Sequence, residues 1–171
     1  KLTRDLTREE QGFITNELTL SKLHAPYWLE RYAKHKTSSG RVKLLEPNFT
    51  QQVLLNIIGE MEEQRRPMLL QLLKLRQLGC STIAQLLIAH RTLFYPNTDA
   101  LVGSNDPDKT LKLLDQYIGM CYRNLPWWMS RELDDGGDLL FKRSGEVYAE
   151  FLSSNSAVSW QHGTQTSGMA R

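Results

Sequence analysis

The chain has 171 residues and a mass of 19.7 kDa, and is 40% hydrophobic and 23% charged, a globular composition that excludes disorder as the main state. Glycine (11) and proline (6) are too few for a collagen-like or low-complexity chain, and no apolar run approaches the ~18–20 residues that span a bilayer. The net charge of +2 does not argue for nucleic-acid binding by itself, and two cysteines, Cys80 and Cys121, make no disulfide framework, which points to a reducing compartment. The chain starts at Lys1 with charged and polar residues, without a signal-peptide pattern, and reads as part of something longer.

The first third reads as helical. Thr7-Arg8-Glu9-Glu10 fits a capping box, and Phe13, Ile14 and Leu18 follow at helical spacing. Leu23, Trp28, Leu29 and Tyr32 form a second short amphipathic piece. Arg31, Lys34, Lys36, Arg41 and Lys43 then cluster around a Thr37–Gly40 loop, either a solvated loop or a phosphate-contacting patch. Asn48 is a good N-cap for a helix with Val53, Leu54, Ile57, Ile58 and Met61 on its apolar stripe, ending near Gln64.

Arg65-Arg66-Pro67 breaks that helix, and the pattern changes. Met68 to Leu73 is a short, nearly continuous apolar run that suits a strand buried on both faces, with a buried helix as the competing reading. Ser81 to Phe94 is strongly amphipathic, with Ile83, Leu86, Leu87, His90 and Phe94 on one side. Asp99 to Ser104 reads as a second buried strand, and Asp106 can cap a helix through Leu111, Leu114, Tyr117 and Ile118 that ends before Pro126. Strand, helix, strand, helix is a βαβα unit, so the fold class is α/β with a parallel sheet. Leu139–Arg143 and Glu146–Phe151 flank a Ser144-Gly145 hairpin signal, and Ala157–Trp160 reads as one more strand.

Lys74-Leu75-Arg76-Gln77-Leu78-Gly79-Cys80-Ser81-Thr82 sits where a phosphate-binding loop belongs, between strand and crossover helix. The usual P-loop, GxxxxGK[ST], is broken twice. Its first glycine slot holds Lys74, and its lysine slot holds Cys80. A lysine entering from the first position of a loop that wraps round phosphates reaches oxygens usually met from the last. Ser81 stands where a magnesium-coordinating hydroxyl is needed.

This segment resembles the displaced-lysine Walker A motif, K-x-R-Q-x-G-x-S-T, of the large terminase subunit, the ATPase that drives DNA into phage capsids. The matching residues are Lys74, Arg76, Gln77, Gly79, Ser81 and Thr82. Glu46-Pro47-Asn48-Phe49-Thr50-Gln51 is similar to the family stretch holding an adenine-reading glutamine. Pro96-Asn97, Leu101–Ser104 and Leu125-Pro126 look like the family downstream. The resemblance implies a P-loop NTPase core of the ASCE type with a mainly parallel sheet, truncated here. A helical N-terminal or lid region over residues 1–66 would precede the first part of the core over 67–171, with a Walker A but no Walker B.

The resemblance also implies roles. Lys74 would neutralise the β- and γ-phosphates, Arg76 is a candidate arginine finger, and the backbone N–H groups of Leu78 to Ser81 would cradle phosphate within a binding loop of Lys74, Arg76, Gln77, Leu78, Gly79, Cys80, Ser81 and Thr82. Ser81 would hold magnesium, with Thr82 as second choice, and Gln51 would read adenine. Asn48-x-x-Gln51 is also a capping box, with Gln52 as the neighbouring frame for the adenine role. ATP and Mg²⁺, double-stranded DNA, a portal protein, a small terminase subunit and further copies in a ring are the implied partners, without a membrane, in the host cytoplasm. A nuclease domain belongs to the full-length enzyme, and this chain alone is expected not to turn over ATP. Another P-loop translocase, or a non-catalytic helical nucleic-acid-binding module, is the alternative. Trp127-Trp128 reads as packing at a helix end or, less simply, as a base-stacking pair. His24, His35, His90 and His162 lack metal-ligand spacing, and Asp134-Asp135 reads as a solvated turn.

Overall fold

A computed structural model of the chain describes residues 6–37, 39–65, 67, 69–72, 78–104, 114–129, 143–144, 146–151 and 156–162. Helix α1 (Arg8–Leu23) opens with the expected capping box: the Thr7 hydroxyl accepts the Glu10 N–H at 3.2 Å and the Glu10 carboxylate accepts the Thr7 N–H at 2.9 Å. Helix α2 (Ala25–Tyr32) carries proline in its first turn, where the missing N–H costs nothing. Leu23 closes α1 and is exposed, while Trp28 and Leu29 on α2 are fully buried.

The basic segment after α2 is a hairpin rather than a plain loop. Strands β1 (Lys34–Lys36) and β2 (Val42–Leu44) pair antiparallel, with His35 opposite Lys43, and Gly40 at φ +81° makes the turn. Helix α3 (Phe49–Glu63) follows Asn48. It stops where Arg65 takes a left-handed conformation at φ 52°.

Helix α4 (Cys80–Phe94) is the centre of the molecule. Its Ile83, Leu86 and Ala89 are fully buried in one cluster with Trp28 and Leu29 of α2, Leu54, Leu55 and Ile58 of α3, and Val158 of the sheet. That cluster draws on both sides of the 66/67 division. Strand β3 (Asp99–Ser104) leaves α4 through a turn at Asn97, and a π-helical turn (Leu114–Gly119) runs into the short helix α5 (Met120–Arg123). Strands β4 (Arg143–Ser144), β5 (Glu146–Phe151) and β6 (Ser156–His162) complete a sheet of order β3-β6-β5-β4.

The chain is therefore a mixed helix–strand protein with one parallel pair, β3 with β6, where Asp99 faces Ala157 and Ser104 faces His162. The other pairs of this sheet are antiparallel, so the described sheet is mixed rather than mainly parallel. The hairpin forms with Ser144 opposite Glu146, inside the ladder rather than in the turn.

Two strand expectations need correction. Leu69–Leu72, within the run read as the first parallel strand, has no regular structure, and Leu69 is 92% exposed. Unbranched leucine is a weak strand former, Pro67 offers no N–H to a ladder, and no described strand pairs with this segment. Strand β3 has the expected bounds but, among the described residues, is covered on one face only. Ala100 and Val102 turn inward, whereas Leu101 is 62% exposed. The N-terminal part of the expected helix from Asp106 and the segments 139–142 and Asp134-Asp135 lie outside the described residues.

Candidate functional site

The candidate site is the start of α4, and its local structure follows from Gly79. That residue caps α4 at φ +72°, in the left-handed region that glycine enters without a Cβ penalty. A side chain there would also run into the Gln51 carboxamide. Cys80, first in the helix, is buried in the core, Ser81 is exposed, and Thr82 is half-buried. The Thr82 and Ile83 N–H groups donate to the Gly79 carbonyl at 3.0 and 3.3 Å. Among the described residues no side chain caps α4, and its first turn contains no acidic residue.

The backbone ahead of α4 is held from α3. The Asn48 side chain accepts the Gln51 N–H at 3.0 Å and donates from Nδ2 to the Leu78 carbonyl at 3.3 Å. The Gln51 carboxamide accepts the Asn48 N–H at 2.9 Å and donates from Nε2 to the Gly79 carbonyl at 3.0 Å. Each side chain thus closes its own helix cap and ties down the neighbouring loop. Gln51 is 7% exposed, and both ends of its amide are used within the protein. Gln52, the neighbouring frame, is exposed.

The far ends of α3 and α4 are joined by an ion pair between Glu62 and Arg91. Tied at both ends, the two helices run side by side in the same direction, so the positive ends of their dipoles lie together at Gln51 and Gly79. The first turn of α3 also lacks acidic residues. The arrangement favours an anion over a cation at this edge.

Lys74, Arg76 and Gln77 lie outside the described residues. Gln51 meets Gly79 directly and Asn48 meets Leu78, while Cys80, Ser81 and Thr82 follow as the first turn of α4. The sequence marks Asn48 as a cap and carries no sign of its bond to Leu78. An N-cap amide has a spare N–H₂ group, but its partner lies 30 residues away and only tertiary packing reveals it.

Two buried titratable groups, His90 and Cys121, belong to the core. His90 is fully buried, and its Nε2 lies 2.7 Å from the Ser21 carbonyl, which makes it the donor. Burial pushes the His90 pKa down to about 4, so the ring is neutral near pH 7. Burial likewise pushes the Cys121 thiol up to about 12. Among the described residues no group of His, Cys, Asp or Glu is arranged to hold a metal, and no helix is long and apolar enough to cross a membrane. No family model matches the chain, and no curated protein matches it.

Proposed function

We propose that the chain is the ATP-binding part of a viral DNA-packaging motor, a terminase large subunit with a P-loop NTPase core of the ASCE type. The observation that carries this reading is the docking of Asn48 and Gln51 onto the Leu78 and Gly79 carbonyls. It joins the two stretches that resemble the family, the glutamine segment and the displaced-lysine loop, at the positive ends of two parallel helices.

In this reading Lys74 and the α4 amides neutralise and orient the phosphates of ATP. Gly79 admits the close turn that a Cβ would block, and the exposed Ser81 hydroxyl is free to meet a magnesium ion that accompanies the nucleotide. Such an ion supplies charge neutralisation on the phosphate oxygens. Arg76 is the candidate arginine finger. Gln51 reads adenine only by exchanging its two internal bonds, so nucleotide entry and the α3–loop contact are coupled. Catalysis in the whole motor would come from positioning and charge stabilisation. Double-stranded DNA, a portal ring, a small subunit and further copies of the chain would be its partners, in the host cytoplasm. The test is ATP hydrolysis by the full-length protein. Lys74→Ala abolishes it and Cys80→Ala is mild; comparable loss from both defeats the displaced-lysine reading.

A second reading, a nucleic-acid-binding module without catalysis, draws on the β1–β2 hairpin, which carries Lys34, Lys36, Arg41 and Lys43. Two cations of the wider cluster are engaged elsewhere: Arg31 lies 3.4 Å from Glu17, and Lys43 lies 3.8 Å from Glu46. Strong, salt-dependent DNA binding indifferent to ATP and to Lys74→Ala would favour this second reading.

A further inference from the structure

Away from α4, the start of α1 and the turn after α5 flank an open cleft of about 520 Å³, within the ~300–1,000 Å³ typical of ligand sites. Glu9, Glu10, Phe13 and Ile14 of α1 line one side, and Trp127 and Trp128 line the other. The tryptophans are presented by an anchored turn. Leu125 and Met129 on either side are buried, the Met129 N–H donates to the Pro126 carbonyl at 2.8 Å, and the Met129 sulfur accepts the Trp28 indole N–H at 3.2 Å.

The Trp128 ring is further fixed edge-on against Phe13, at 6.3 Å between centroids, and against Tyr32, at 5.6 Å. The Tyr32 hydroxyl in turn donates to the buried Glu17 carboxylate. Burial and that carboxylate push the Tyr32 phenol up to about 12, so it remains a donor throughout the physiological range. Trp128 therefore forms a preorganised wall, whereas Trp127 stands 56% exposed at the rim.

We propose that this cleft docks an arginine side chain, flanked by apolar residues, from a partner polypeptide. Indole faces attract a guanidinium through their quadrupole, and a planar guanidinium stacks on them while pairing with a carboxylate. Glu9, exposed in the first turn of α1, supplies that carboxylate at the rim; Glu10 lies beside it but already accepts the Thr7 N–H. The Glu9 carboxylate disfavours a phosphate at this rim. The aromatic and aliphatic walls take the apolar neighbours of the arginine. This cleft does not depend on the nucleotide reading of the α4 start.

The experiment uses the 171-residue chain and an acetylated Leu-Arg-Leu amide as probe, following the indole N–H resonances of Trp127 and Trp128. The arginine peptide should shift both resonances saturably. Replacing arginine by its uncharged isostere citrulline should weaken binding by about tenfold, and Glu9→Gln by about fivefold, with a smaller salt dependence. Trp127→Ala should weaken binding of the arginine peptide. Equal binding of the citrulline peptide would overturn the proposal in favour of a plain apolar groove. So would shifts produced by an oligothymidylate and not by the peptide, and so would the absence of any shift at millimolar peptide.

Discussion

The two ends of α4 treat their polar groups in opposite ways. At the C-terminal end His90 is sealed beside Trp28 and Phe94, with ring centroids at 5.3 and 5.0 Å, and spends its N–H on a carbonyl of α1. At the N-terminal end the polar side chains come from α3 and bond the loop backbone, while the helix itself begins without a side-chain cap and with Ser81 exposed. The first end is finished as protein interior. The second is held in position from α3 and, among the described residues, leaves Ser81 exposed on the first turn.

The sealed end predicts the largest effect. The neutral His90 of the folded chain titrates near 4, whereas an unfolded histidine titrates near 6.5. Between those values the unfolded chain binds the extra proton, so stability from this group is complete above pH 6.5 and is lost as pH falls toward 4. The loss amounts to about 3 kcal/mol. Urea unfolding from pH 7 to 4 should show it, and His90→Gln, whatever its own stability, should give a flatter profile over the same window. An unchanged slope would mean that the histidine is not sealed.

Gly79→Ala strikes the N-terminal end. It imposes the left-handed penalty and displaces Gln51, and should cost about 2–3 kcal/mol in a urea or thermal melt. Replacement without loss would show that the turn is not fixed. Gln51→Ala removes one cap partner and one bond to Gly79, for about 1–2 kcal/mol. Gln52→Ala, one residue on and exposed, should stay within about 0.5 kcal/mol, so this pair measures how far the loop depends on α3.

Legibility in the sequence followed the range of the interaction that decides each element. The Thr7–Glu10 and Asn48–Gln51 boxes, the body of α4 and the bounds of β3 were readable, because capping chemistry and periodicity are local signals. The β1–β2 hairpin was not: three-residue strands of lysine and histidine carry no apolar alternation. The run around Leu69–Leu72 misled because a continuous apolar stretch has no period, and whether it becomes a strand depends on neighbours elsewhere in the fold. Part of the candidate site was legible as a loop followed by Gly79, Cys80 and Ser81. What the sequence withheld was the reach of Asn48 and Gln51 across to that loop, a tertiary contact with no local signature.

The N-terminal end of α4 is tested most directly by titrating the 171-residue chain with a non-hydrolysable ATP analogue and Mg²⁺ while following the backbone amides of Gly79 to Thr82. Saturable shifts are expected at these amides and at the Gln51 side chain, with at least tenfold weaker binding in Lys74→Ala and unchanged binding in Cys80→Ala, where no charge is lost. Equal weakening by both substitutions, or shifts confined to the β1–β2 hairpin, would contradict the displaced-lysine reading.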